Sequence, residues 1–411
     1  MRFFIPGLVH LPVSRDYMGC AFTQKIVKLC SMLKSRGHEV ILLGAEGSNA
    51  DCDEFIQTHS LNDIRREWGE GDNRYELGYD WKNKGFRHDF NKKRTETTKK
   101  FYKVCADAIN ERKRDDDFLL LMQGVYHKPI AVATKLFLTC EPGIGYRGSF
   151  CRFRAFESAY LQNFTYGSAN PGKGINGNYY DRVIPNYFDL GDFDYSPDPG
   201  EYFLYLGRLI HRKGIETASK AVAVIGGTLK LARQGKKSWD KKRKTLVAED
   251  CTIHGAHLEF EGYAGVEERR KLLAGAKAVF VPTLYLEAFG GTNVEAQLSG
   301  TPVITTDFGV FPETVEQGKT GFRCNTLQDF VDAAKTVAGL DRGYIRQRAV
   351  NRYSMDNVMD QFDKWFSDLY QLYLSARNPD VKGWHNLHAA NNGNVLSRQQ
   401  DEGYNGRSMR T

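Results

Sequence analysis

Tyr202-Phe203-Leu204-Tyr205-Leu206-Gly207-Arg208-Leu209-Ile210-His211-Arg212-Lys213-Gly214 decides how this chain is read. Five apolar or aromatic residues make a run of strand length, stopped by a glycine, and helical period resumes after Gly214. A strand that is apolar on both faces suits a parallel sheet covered by helices. Arg208 and Lys213 fall on the turn between strand and helix, where open α/β sheets build ligand sites. A guanidinium and an ammonium on one such turn can neutralise a diphosphate.

The same alternation continues on both sides. Downstream it predicts strand Thr228–Ala232, a basic loop, strand His257–Gly262, a helix over 266–275, strand Ala278–Pro282, a helix over 292–299, strand Pro302–Thr305 and a helix over 327–338. Upstream, Phe3-Phe4-Ile5 opens a strand. A loop with Gly7 and Gly19 leads to a helix over 20–36, closed by Gly37, and then strand Glu39–Gly44. Residues 47–100 read as polar and irregular. Helix Phe101–Arg112, strand Phe118–Met122, helix Lys128–Thr134, strand Lys135–Cys140, a glycine-rich loop Pro142–Gly148, a helix over 151–163 and a last strand at Arg182–Ile184 follow. The fold class is α/β, with two Rossmann-like βαβ domains at 1–198 and 199–354, joined by an Asp-, Pro- and Gly-rich linker over 189–200. A chain of 411 residues fits that division at ~150 residues per domain. A helix over 355–375, with Val358, Phe362, Trp365 and Leu369, is expected to pack back on the first domain. Polar residues 378–411 read as a flexible tail.

Hydrophobic residues are 41% of the chain and charged residues 26%, a globular balance. No apolar run approaches the ~18 residues of a membrane helix. The N-terminus enters strand-like sequence at once, so no leader is expected. Eight cysteines lack any C-x-x-C pair, which argues against a zinc knuckle and for a reducing, cytoplasmic setting, a host's cytoplasm included. Net charge is +7, but the excess is local. Lys82–Lys103 holds nine Lys/Arg against two acidic residues, with Trp81, Phe86, Phe90, Phe101 and Tyr102 interleaved; Arg233–Lys244 holds seven against one. Clustered cations and flat rings suit a polyanion. The plain alternative is a solvated helix face.

A second motif lies at Glu287-Ala288-Phe289-Gly290-Gly291-Thr292-Asn293-Val294-Glu295, between a strand and a helix. Gly290 and Gly291 free backbone amides at a helix N-terminus, an anion site. Glu295, about one turn inside, can accept two vicinal hydroxyls such as a ribose offers. Glu287 stands on the far side of the glycines.

Taken with Gly300-Thr301-Pro302-Val303-Ile304-Thr305-Thr306-Asp307-Phe308-Gly309, Pro312-Glu313-Thr314-Val315 and Gly318-Lys319-Thr320-Gly321-Phe322, these motifs resemble the retaining family 4 glycosyltransferases, the glycosyl transferases group 1, of GT-B fold. The likeness runs in order through about 120 residues. It is looser at Arg36-Gly37-His38-Glu39-Val40 and Ile184-Pro185-Asn186. The resemblance implies two domains facing across a cleft and sugar transfer from a nucleotide-diphosphate sugar to an acceptor hydroxyl. Arg208 and Lys213 would hold the diphosphate and Glu295 the ribose. Glu287, with the amides near Phe289, Gly290, Gly291, Thr292 and Asn293, would hold the sugar and distal phosphate. Tyr263 would lie near the base, and Gly19 would let the first helix approach the diphosphate. Where relatives place a histidine at a strand end of the first domain, this chain has Glu141, and His127 is the substitute candidate.

Asp51-Cys52-Asp53 and Asp192-Phe193-Asp194 fit the D-x-D pattern without a convincing strand before them, so no metal and no cofactor beyond the donor are expected. The implied transfer retains anomeric configuration, with the leaving phosphate oxygen taking the acceptor's proton. The basic segments suggest an anionic acceptor: an acidic glycan, a phospholipid head group reached by peripheral membrane contact, or a nucleic-acid base. An NDP-sugar epimerase or phosphorylase of the same fold, and a non-catalytic polyanion-binding module, stay open as other readings.

Overall fold

The computed structural model describes residues 1–17, 19–68, 95–169, 177–198, 200–232, 238–248 and 250–377. The chain divides into two compact units, Met1–Phe362 and Asp363–Thr411. The first unit contains both large sheets.

The N-terminal lobe is built on β1 (Arg2–Pro6), β2 (Glu39–Ala45), β3 (Glu54–His59), β4 (Phe118–Leu120), β5 (Leu138–Ile144), β6 (Phe153–Phe156) and β7 (Arg182–Val183). They lie in the order β3-β2-β1-β4-β5-β6-β7, every pair parallel. Phe3, Phe4 and Ile5 are fully buried, as are Phe118 through Met122, which is why these strands read as unbroken apolar runs. Helix Ala21–Ser35 buries Ile26, Leu29, Cys30 and Leu33 and is closed by Gly37 at φ +72°.

The C-terminal lobe repeats the scheme. β8 (Tyr202–Leu206) and β9 (Thr228–Ala232) are followed by a small antiparallel sheet of β10 (Ser238–Asp240), β11 (Thr245–Val247) and β12 (Thr252–His254). The main sheet resumes with β13 (Leu258–Gly262), β14 (Ala276–Val281), β15 (Val303–Thr306) and β16 (Gly321–Cys324), in the order β13-β9-β8-β14-β15-β16, all parallel. In each lobe the order reverses beside the first strand, between β1 and β4 and between β8 and β14. Such a switch point opens a crevice beyond the carboxyl ends of the strands. Gly214, at φ +73°, lets the turn after β8 close on the turn after β14: a Cβ there would stand 1.8 Å from the Pro282 carbonyl oxygen.

The expected two Rossmann-like lobes are present, with local departures. Residues 151–163 were expected as one helix; instead β6 precedes helix Ala159–Ala169. Arg154 sits in that strand because Asp181 takes its guanidinium, Nη2 to Oδ2 at 2.7 Å. The stretch 47–100 contains β3 and helix Leu61–Trp68, and the basic loop contains the small sheet. Leu246 and Ile253 of that sheet join the lobe's core. β16 and helix Arg342–Tyr353 are further elements beyond those expected. Helix Met355–Arg377 begins in the first unit, where Phe362 packs on Tyr187 with ring centroids 6.0 Å apart and Asp360 accepts from Arg36. The expected tail over 378–411 lies outside the described residues.

Arg342 ties the C-terminal lobe together. Its buried guanidinium donates to the carbonyls of Ser196, Ala276 and Ala274 and to the Thr301 hydroxyl at 2.7–2.9 Å. Arg342→Met strands three carbonyls in the interior and is expected to destabilise by about 3 kcal/mol or more. Lysine cannot match the planar fork, so Arg342→Lys should recover little. Chemical denaturation checks this, and a loss under about 1 kcal/mol contradicts it.

Candidate active site

The turn after β8 is stapled by Tyr205, whose hydroxyl donates to the carbonyls of Arg208 (2.9 Å) and Lys213 (3.3 Å). That fixes Lys213 to point across the switch point. Its Nζ lies 2.6 Å from Glu287 Oε2, and the Tyr285 hydroxyl donates to the same oxygen at 2.8 Å. The Lys213 ammonium is 4.8 Å, and the Arg212 guanidinium 5.1 Å, from the Tyr285 ring centroid. Burial first, then Glu287, pushes the Tyr285 hydroxyl up, opposed by Arg208 and Arg212, so it stays a donor. Arg208, Lys213 and Glu287, separated by up to 79 residues, are thereby brought into one cluster, with Arg212 and Tyr285 added.

Glu287 is braced from behind. Its carbonyl accepts from Val310 N at 3.1 Å, and a Cβ on Gly309 would meet its amide nitrogen at 2.8 Å. Gly290, at φ +72°, turns the chain into helix Gly291–Leu298, with Thr292 half-buried in the first turn. The other two residues of this motif face inward. Phe289 stacks on Phe188, centroids 6.2 Å apart. Asn293 donates to Thr314 Oγ1 and accepts from Gln297, both at 2.8 Å. Any part these two play toward a ligand falls to their backbone.

Glu295 belongs to a second cluster at the lobe junction. Arg269, on helix Val266–Ala274, forms an ion pair with it. Glu295, then Tyr263 and Asp192, raise the Arg269 guanidinium's pKa. From the N-terminal lobe comes Lys28, on the helix that begins two residues after Gly19. Burial lowers the Lys28 ammonium's pKa, while Asp192, Glu295 and Asp189 oppose that shift. Arg15 adds an ion pair to Asp189 at 2.9 Å. Arg269 and Lys28 were missed in the sequence; both act through side chains that reach another element, which no local spacing reports.

Glu141 and His127 do not present their side chains to solvent, a departure from the expectation that one of them faces the sugar. Glu141, on β5, is fully buried and accepts from Phe150 N and Cys151 N, each at 2.8 Å, and from the Tyr146 hydroxyl. Burial raises it to about 7 against those hydrogen bonds. His127, after β4, is fully buried under the Phe101 ring, and burial lowers it to about 4, partly opposed by the Gly7 backbone. Of the two D-x-D candidates, Asp53 accepts from Lys34 and Val40 N, and Asp194 from Arg270. Among the described residues no three His, Cys, Asp or Glu side chains gather as metal ligands.

Two parallel sheets with this strand order, each with a switch point beside its first strand, are the architecture of the GT-B class. Residues 194–341 match the family described as glycosyl transferases group 1. Glycogen synthase of Mycobacterium tuberculosis is 34% identical over 211 residues, covering 47% of this chain and 48% of that protein. The chain therefore spans about half the length of the curated relatives it matches. Among solved structures, sucrose-phosphate synthase of Thermosynechococcus elongatus superposes with a TM-score of 0.62 at 16% identity, over 90% of this chain and 99% of that one. Anabaena HepE, solved with UDP and glucose, superposes at 0.56 and 13% identity, over 89% and 99%. The family match thus centres on the C-terminal lobe and its motifs.

The Glu141 site predicts a pH signature. A carboxyl whose folded pKa is raised stabilises the fold below its unfolded pKa, and that contribution is lost as pH rises through about 7. His127 works in the opposite direction, losing its contribution as pH falls from 6.5 toward about 4. The difference in melting temperature between Glu141→Gln and the parent should therefore shift in favour of the variant as pH rises from about 5 to about 7.5. A difference that stays constant contradicts the placement.

Proposed function

We propose that this protein is a glycosyltransferase that moves a sugar from a nucleotide-diphosphate sugar to an acceptor hydroxyl with retention of configuration. The observation that carries the reading is the 2.6 Å Lys213–Glu287 pair beside Arg208 at the β8/β14 switch point, facing the N-terminus of helix Gly291–Leu298. Arg208 and Lys213 neutralise the diphosphate, with Arg212 adding charge at the rim. The helix amides after Gly290 take the distal phosphate. Glu287 turns from Lys213 alone to the donor sugar's hydroxyls, and Glu295 accepts the ribose diol. Tyr263, in the loop after β13, lies toward the base.

Fixed cations stabilise the charge that develops on the leaving diphosphate, the task a metal performs in other transferases. The reaction proceeds without metal or further cofactor. As the C1–O bond to phosphate lengthens, the acceptor hydroxyl approaches from the same face. The departing phosphate oxygen accepts its proton, so the site needs no separate strong base. This suits a site in which Glu141 and His127 are enclosed.

The acceptor is anionic. Lys241, Lys242 and Arg243 form an exposed turn at the tip of the small sheet. The root of that sheet is tied to the phosphate turn by His211 N donating to Asp250 at 2.8 Å. At the other basic segment, Lys99, Lys100 and Lys103 are paired with Glu96, Asp63 and Asp107, and Lys82–Arg94 lies outside the described residues. A glycan, lipid head group or nucleic-acid base would all present the negative charge this turn attracts, and each would be met in the cytoplasm. No helix among the described residues is long and apolar enough to cross a membrane.

The test is turnover of a panel of UDP-, GDP- and ADP-sugars, beginning with UDP-glucose. Arg208→Ala with Lys213→Ala should lower turnover by about 100-fold or more, and the product sugar should keep the donor's anomeric configuration by NMR. Turnover should persist in a chelator. Parent-like turnover in the double variant overturns the reading.

A further inference from the structure

The turn Glu157-Ser158-Ala159-Tyr160, between β6 and helix Ala159–Ala169, crosses from the N-terminal lobe to the other lobe in three hydrogen bonds. Ser158 Oγ donates to the Ala288 carbonyl at 2.6 Å. Ala159 N and Tyr160 N donate to the two carboxylate oxygens of Glu313 at 2.9 and 2.6 Å. Glu313 thus caps a helix of the opposite lobe. Ser158 is almost fully buried and its oxygen also accepts from Leu161 N at 3.1 Å, which commits its proton to Ala288.

Both contacts converge on one segment. Ala288 follows Glu287. Glu313 follows Val310, whose amide holds the Glu287 carbonyl. The turn has a firm base in its own lobe: Glu157 is ion-paired with Lys25 on the first helix, and a Cβ on Gly145 would stand 2.3 Å from Glu157 Oε2. The turn therefore cannot give way without disturbing a close-packed charge pair.

We propose that Ser158 and Glu313 are positioning residues that add the last constraint on the Glu287 segment when the lobes meet, so that this contact completes the sugar-holding side of the site. The proposal rests on the glycosyl-transfer reading of Glu287. Its logic is geometric. Arg208 and Lys213 belong to the C-terminal lobe and hold a diphosphate whether or not the lobes meet. The segment carrying Glu287 is braced from behind by its own lobe and gains further support at Ala288 from the N-terminal lobe. A misplacement of an ångström at that segment is costly to the chemical step and nearly neutral for the diphosphate.

The experiment compares Ser158→Ala, Ser158→Thr and Glu313→Gln with the parent. It measures kcat and KM for the panel sugar that turns over, UDP affinity by calorimetry, and amide exchange over 285–290 and 159–161. Ser158→Ala and Glu313→Gln should each lower kcat by about tenfold or more with UDP affinity within about twofold, and exchange over 285–290 should rise. Ser158→Thr, which keeps the hydroxyl, should recover most of the loss. Unchanged exchange over 285–290 in both deleterious variants overturns the proposal. So does a parallel fall of kcat, UDP affinity and melting temperature, the mark of a merely structural role. If no panel sugar turns over even in the parent, the glycosyl-transfer reading fails, and the exchange measurements alone still decide whether this turn holds the Glu287 segment.

Discussion

One ammonium, that of Lys213, is held against one carboxylate, that of Glu287, at the point where strand order reverses. Everything proposed for the site depends on that pair being fixed from both sides. On one side Tyr205 staples the β8 turn and Gly214 allows it to touch Pro282. On the other, Val310 and the Gly309 backbone hold Glu287. Neither partner is in the deep core, so the arrangement gains little stability from charge alone. Its value is positional: opposite charges are kept where a ligand with its own charges can exchange partners with them.

The lobes contribute unequally. The C-terminal lobe supplies the cations, the helix N-terminus and both motif glutamates. The N-terminal lobe supplies contacts to the segments that carry them, through Ser158, Lys28 and the first helix. Within the N-terminal lobe Tyr187 donates its hydroxyl to the Lys25 carbonyl, and the neighbouring Phe188 stacks on Phe289 of the other lobe. A fold in which one lobe binds and the other completes suits the proposed transfer, which must exclude water while an activated sugar is exposed.

The sequence made the C-terminal lobe legible because β8, β14 and β15 are short and largely buried on both faces, and β8 and β15 run into glycine-marked turns. The β8 run and the Glu287–Glu295 motif can be placed after strands from their residues alone. The small sheet at 238–254 could not be read, because strands of three residues in a lysine-rich stretch carry no usable period. β6 was hidden by Arg154, whose charge is tolerated only because Asp181, 27 residues on, accepts it. Arg269, Lys28 and Arg342 escaped for the same reason: long side chains form contacts that depend on tertiary distance. Glu141 and His127 read as strand-end residues, but Glu141 lies mid-way along β5 and His127 follows the turn Gly124–Tyr126 rather than β4 itself; their burial follows from the covering residues Phe150, Cys151 and Phe101, which spacing does not reveal.

The most direct measurement is a calorimetric series of nucleoside, monophosphate and diphosphate for uridine, guanosine and adenosine against the intact protein. If fixed cations at the β8/β14 switch point are what the crevice offers, affinity for one base will climb by about 100-fold from nucleoside to diphosphate and weaken with salt. Equal affinity across all three phosphorylation states, for every base, would contradict the account.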